Sequence, residues 1–179
     1  MSVRHSFAAV VLAAVFSTAF LGAQSVTKQN VEGVANFARV ETTVACAGAI
    51  KTEAIPEIKK MGFVSIINLR LADEAGANVD AEAAAAKAAG MKYFHVPFNG
   101  QKPDPAVADT FLAAITTKGN EPAFIHCAGG NRAAAMWFIK RLVVDHWTAD
   151  KASAEAADLG MTSAVLKQFG LDYAAAHPR

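Results

Sequence analysis

Pro122-Ala123-Phe124-Ile125-His126-Cys127-Ala128-Gly129-Gly130-Asn131-Arg132 is the stretch on which the reading of this chain turns. Its first six residues form a short apolar run closed by a cysteine, the pattern of a buried strand. Ala133 to Val144 reads as a helix that begins immediately beyond Arg132. Strand, glycine turn and helix in that order place Cys127 at the carboxyl end of a strand, where open α/β sheets bind their ligands. The glycines at 129 and 130 let backbone N–H groups converge without Cβ obstruction, and the helix start adds unpaired donors and a positive dipole end. Arg132 can grip a phosphoryl or sulfuryl group through two parallel hydrogen bonds. The donors that hold an anion also stabilise a thiolate, which makes Cys127 a candidate nucleophile. Ala128, Gly129, Gly130, Asn131 and Arg132 are then the anion-binding residues, and His126, still on the strand, is expected to orient the loop by hydrogen bonding.

Outward from this segment, strands and helices alternate. Phe37 to Val40 and Thr43 to Cys46 read as an edge hairpin, preceded by a polar loop from Gln24 to Gly33. A short helix places Ile55, Ile58 and Met61 on one face and stops at Gly62, after which Phe63 to Leu69 is a buried strand. The alanine-rich stretch Val79 to Ala89 is helical, and Met91 to Val96 is a second core strand closed by Pro97. Asp104-Pro105 has the form of an N-cap followed by a proline at the first helical position, opening a helix through Thr117. Two short helices, about Ala149 to Leu159 and Ser163 to Phe169, precede a polar tail. The pattern predicts an α/β domain with a central, mostly parallel sheet of about four to five strands flanked by helices.

The 179 residues suffice for one domain and a leader. Arg4 and His5 followed by an apolar run from Phe7 to Leu21 and small residues at Gly22, Ala23 and Ser25 read as a secretory signal peptide over 1–25, with a single domain over 26–179. About 15 apolar residues are short for a membrane span, which needs roughly 20, so contact with the membrane is expected only through the leader before cleavage. The expected location is a bacterial periplasm. Removing the leader takes away Arg4 and no acid, so 17 basic residues become 16 against 16 acidic ones. A neutral chain with interspersed charges argues against nucleic acid as partner.

The residues resemble the Cys-based tyrosine and dual-specificity phosphatases, and among them the phosphatase-like domain of beta-lactamase-hydrolase-like proteins. The resemblance runs from about Asn36 to Trp137. It includes Ile66-Ile67-Asn68-Leu69-Arg70 with Glu74 after it, Gly90-Met91-Lys92-Tyr93-Phe94-His95-Val96-Pro97, and His126-Cys127 to Arg132. It implies a phosphoric monoester hydrolase that acts through a cysteinyl-phosphate on Cys127, with Arg132 binding the phosphoryl group and neither metal nor other cofactor. A phosphorylated protein or a small phosphate ester is the implied partner.

Three departures from that pattern bear on function. Four residues separate Cys127 from Arg132 where the tyrosine phosphatase loop has five, a shorter loop shared by the beta-lactamase-hydrolase-like branch and by rhodaneses. Ala133 stands where a Ser or Thr hydroxyl assists departure of the thiolate. Phe98-Asn99-Gly100 lacks the expected proton-donating aspartate, which leaves Asp104 as the next general-acid candidate, its role as a helix cap standing beside it, with Asp73 and Glu74 behind. A rhodanese-like sulfurtransferase and a catalytically impaired phosphate-binding module therefore stay open as alternatives. In an oxidising compartment, Cys46 and Cys127 are also candidates for a reversible disulfide that blocks the nucleophile.

Overall fold

The computed structural model describes residues 26–178; the leader therefore lies outside the described residues. Six strands, β1 (Val26–Lys28), β2 (Ala38–Val40), β3 (Val44–Ala47), β4 (Ser65–Asn68), β5 (Lys92–His95) and β6 (Ala123–His126), form one sheet in the order β1-β2-β3-β6-β4-β5. β3, β6, β4 and β5 run parallel, while β1 and β2 join antiparallel at one edge. The expected hairpin is β2 and β3, but only β2 lies near the edge, because β3 pairs along its other side with β6. β1 adds a strand where a loop was expected; its three residues carry no alternating pattern and are ordered by pairing with β2.

Alternation of side chains along each strand divides the core into two layers. Cys46, Ile67, Leu69, Ile125 and Cys127 face one side, and Ala45, Ala47, Ile66 and Phe124 the other. The first layer is covered by α3 (Pro105–Thr116), α4 (Asn131–Val143), α5 (Ala149–Asp158) and α6 (Ala164–Ala176); the second by α1 (Ile55–Lys60) and α2 (Val79–Ala88). The sheet is thus flanked by helices on both faces, as the order of elements predicts. Ala133, Ala134 and Ala135 are buried, and such small side chains let α4 lie close to the sheet beside the glycine loop.

α6 continues past the expected stop near Phe169. Gly170 sits inside it because a Cβ there would come within 2.7 Å of Phe138 Cδ1 on α4. Here the glycine permits close helix packing instead of ending the helix. Beyond it Tyr173 is buried, with its hydroxyl donating to Asp109 on α3.

Candidate active site

The chain leaves β6 at His126, passes through Cys127, Ala128 and Gly129, and enters α4 through Gly130, whose φ of 99° is a left-handed conformation that favours glycine. Neighbouring segments fix the direction of each peptide group in this loop. Cys127 N–H donates to Ala47 O at 3.2 Å, Ala128 O accepts from Ala49 N–H at 2.9 Å, and Gly129 O accepts from Asn36 Nδ2 at 3.2 Å. With these carbonyls turned outward, the Gly130 N–H donates to Cys127 Sγ at 3.1 Å. Gly48 allows the close approach, since a Cβ on it would lie 2.9 Å from Ala128 O. Asn36 adopts a φ of 49°, a strained conformation for a side-chain-bearing residue, at the point where it ties down the loop.

Arg132, on the first turn of α4, is clamped by the segments that follow β4 and β5. Its Nη1 donates to Glu74 Oε1 at 2.5 Å, Phe98 O at 2.9 Å and Leu69 O at 3.2 Å, and its Nη2 donates to Glu74 Oε2 at 2.8 Å. Glu74 is itself held by Leu71 N–H at 2.9 Å and Arg70 Nε at 3.3 Å. These bonds, Arg132's first, bring its carboxyl from an ordinary 4.5 down to about 2. Although burial opposes the charge on Arg132, its hydrogen bonds to Glu74 and the nearness of Cys127 raise its pKa above the ordinary value.

The depressed Glu74 carboxyl predicts a pH dependence of stability. Because its folded value lies below the ordinary one, the pair stabilises the fold fully above about pH 4.5 and loses that contribution as pH falls toward about 2. Melting temperatures of the native chain and of Glu74→Gln, measured from pH 6 to about pH 2, should therefore converge toward the acid end. A constant gap across the window would remove the pair as a source of stability.

The other sequence candidates fall in different places. Asn131 spends its side chain on the turn between α5 and α6: Nδ2 donates to Thr162 Oγ1 at 2.7 Å, and Oδ1 accepts from the N–H groups of Thr162 and Ser163, each at 3.3 Å. Asp104 is exposed and caps α3, accepting from Ala106 N–H at 2.9 Å, and Asp73 is exposed. His126 is fully buried on the face opposite Cys127. Its Nε2 lies 3.2 Å from Glu82 Oε2, which also accepts from Asn68 Nδ2 at 2.7 Å and Tyr93 Oη at 3.0 Å. The buried Glu82 cluster beneath the strand was not foreseen, because its members are scattered along the chain and no local pattern joins them.

Cys46 and Cys127 are both buried free thiols, so the candidate disulfide is not formed. Register explains why. Cys46 is the partner of Ile125, which puts Cys127 two residues further along the adjacent strand, about 8 Å away by ordinary strand spacing. That exceeds the roughly 7 Å limit for a disulfide. The Cys46 thiol is pushed well above its ordinary pKa by burial and then by Cys127 and Glu155, so it stays protonated and unreactive.

Two cavities meet at Asn131. One of about 340 Å³ is lined by Glu74, Asn99, Gly100, Gln101, Arg132 and Ser163 among others; the second, of about 710 Å³, is lined by Lys28, Asn30, Asn36, Phe37, Gly129 and Thr162 among others. Between them lies the loop, in which Cys127 Sγ accepts from the Gly130 N–H and Arg132 is held by Glu74.

The chain is similar in sequence and in fold to several known proteins. A beta-lactamase hydrolase-like protein of Xylella fastidiosa (strain Temecula1) is 31% identical over 136 residues, covering 72% of this chain and 31% of its own. One from Agrobacterium fabrum is 33% identical over 106 residues, covering 56% and 24%. The chain thus spans less than a third of the length of these relatives. In structure it is similar to a phosphatase-named DUF442 protein of Shewanella putrefaciens (TM-score 0.68, 18% identity, 83% of this chain and 97% of that one). It is also similar to the core catalytic domain of the PP-IP phosphatase Siw14 of S. cerevisiae (0.64, 18%, 79% and 87%) and to P. aeruginosa TpbA (0.62, 17%, 84% and 90%). Residues 36–144, more than half of the chain and the whole of the loop with its supports, match the phosphatase-like domain of beta-lactamase hydrolase-like proteins, and the chain belongs to that family.

Proposed function

We propose that this domain hydrolyses phosphoric monoesters through a cysteinyl-phosphate on Cys127. The observation that carries the reading is the division of labour on Arg132: Nη1 and one N–H of Nη2 are committed to the protein, which leaves Nε–H and the second Nη2 N–H as a fork for an anion beside Sγ. The thiolate attacks phosphorus, the P–O bond to the leaving group breaks, and the charge on the equatorial oxygens is stabilised by this fork and the loop amides. Water then cleaves the S–P bond and restores the thiolate. Ala133 offers no hydroxyl to the departing sulfur, so the second step should be the slower one. A phosphorylated protein or small phosphate ester is the substrate in this reading, and the signal-peptide character of residues 1–25 supports a site of action outside the cytoplasm.

The four-residue spacing between Cys127 and Arg132 favours a second reading, a sulfurtransferase that carries a persulfide on Cys127. One experiment separates them. The mature chain, kept reduced, is given 4-nitrophenyl phosphate in one arm, and thiosulfate with cyanide in the other. We expect a burst of nitrophenol equal to the enzyme present and one phosphoryl group on the peptide bearing Cys127. Thiocyanate without nitrophenol would replace the phosphatase by the sulfurtransferase, and tight phosphate binding without turnover in either arm would leave a binding module.

A further inference from the structure

The segment lying over Arg132 is Phe98 to Gln101. Phe98 O accepts from Nη1, and a Cβ on Gly100 would sit 3.3 Å from Arg132 Cγ, so this stretch is in contact with the guanidinium. On either side of Gly100 it presents a carboxamide, Asn99 and Gln101, neither of which can supply a proton. Among the residues lining the two cavities there is one carboxylate, Glu74, and it is locked into the ion pair with Arg132 and ionised throughout the neutral range. Asp104 is exposed and spends Oδ1 on the α3 cap, and His126 is buried on the opposite face. The leader contains no acidic residue, so the acidic side chains all belong to the described residues.

We propose that this site acts only on phosphates whose leaving group departs as a stable anion. These are aryl phosphates of acidic phenols and, by the same chemistry, acyl phosphates and phosphoanhydrides, whose leaving groups are a carboxylate and a phosphate, to the exclusion of alkyl esters such as phosphoserine. The inference rests on the phosphatase reading above. The electron pair of the thiolate forms the S–P bond, the P–O bond breaks, and its pair stays on the leaving oxygen, which takes a proton only afterwards from water. A positioned general acid ordinarily contributes about 10²- to 10⁴-fold, and that factor is forfeited wherever the leaving oxygen needs the proton.

The test is kcat/KM of the reduced mature chain on 4-nitrophenyl and phenyl phosphate, because kcat/KM reports the steps up to departure of the leaving group. Phenol is the poorer leaving group, titrating like a tyrosine side chain at about 10. We expect kcat/KM to fall about 100-fold or more from the nitrophenyl to the phenyl ester, and Asp104→Asn to leave both values unchanged. Asparagine caps a helix as well as aspartate, so this variant keeps α3 intact. A smaller fall, or a loss of about tenfold or more on phenyl phosphate in Asp104→Asn, overturns the inference while the phosphatase reading stands. Failure to release phenol or nitrophenol from either ester overturns both.

Discussion

Cys127→Ser is expected to reduce turnover of 4-nitrophenyl phosphate by about 10⁴-fold or more, to near the uncatalysed rate, since loss of a nucleophile removes the covalent route altogether. The substitution is small and local. Cys127 is 1% exposed at the end of β6, and serine fits its space and can accept the Gly130 N–H that now points at Sγ. Inorganic phosphate should therefore still bind, held by the loop amides and Arg132, and the melting temperature should change little. Initial rates on the reduced native and variant chains measure the effect, with phosphate binding followed by calorimetry as the control for the cradle. Equal rates would remove Cys127 as nucleophile.

The second large effect is expected at a residue that forms no bond to substrate. Glu74→Ala takes both carboxylate partners from Arg132 and leaves only Leu69 O and Phe98 O to hold it. Arg132 has a long, flexible side chain, and without the two-point clamp it samples orientations in which its free edge no longer faces the phosphorus. A misplacement of about 1 Å can cost about 100-fold in rate, and a loss of that size in kcat/KM is the expected outcome. Glu74→Gln keeps one acceptor oxygen and should recover part of it. Recovery would separate the positioning of Arg132 from general damage to the fold, while unchanged kcat/KM in Glu74→Ala would show that Arg132 needs no such partner.

The loop from Cys127 to Arg132 was legible because its determinants are local: an apolar run, two glycines and an arginine at a helix start act within a few residues of one another. The same holds for β4, β5 and β6, whose β-branched and aromatic runs are bounded by turn residues, and for the cap at Asp104. Reading fails where the cause is distant in sequence. Gly170 looks like a helix stop until Phe138 is packed against it, and β1 has no pattern until β2 pairs with it.

What the sequence determined by itself, then, was the alternation of strands and helices and the strand, glycine loop and helix that carry Cys127 and Arg132, because periodicity, glycine turns and helix starts express their physics over short range. What only the tertiary structure decided was which groups meet. Glu74 reaches Arg132 across 58 residues, Asn36 reaches Gly129 across 93, and the register of β3 on β6 keeps Cys46 out of bonding distance of Cys127. Those pairings depend on sheet order and on a register in which each residue faces the side opposite its neighbour, so a slip of one residue would exchange the two faces, and no local stretch of sequence encodes that choice.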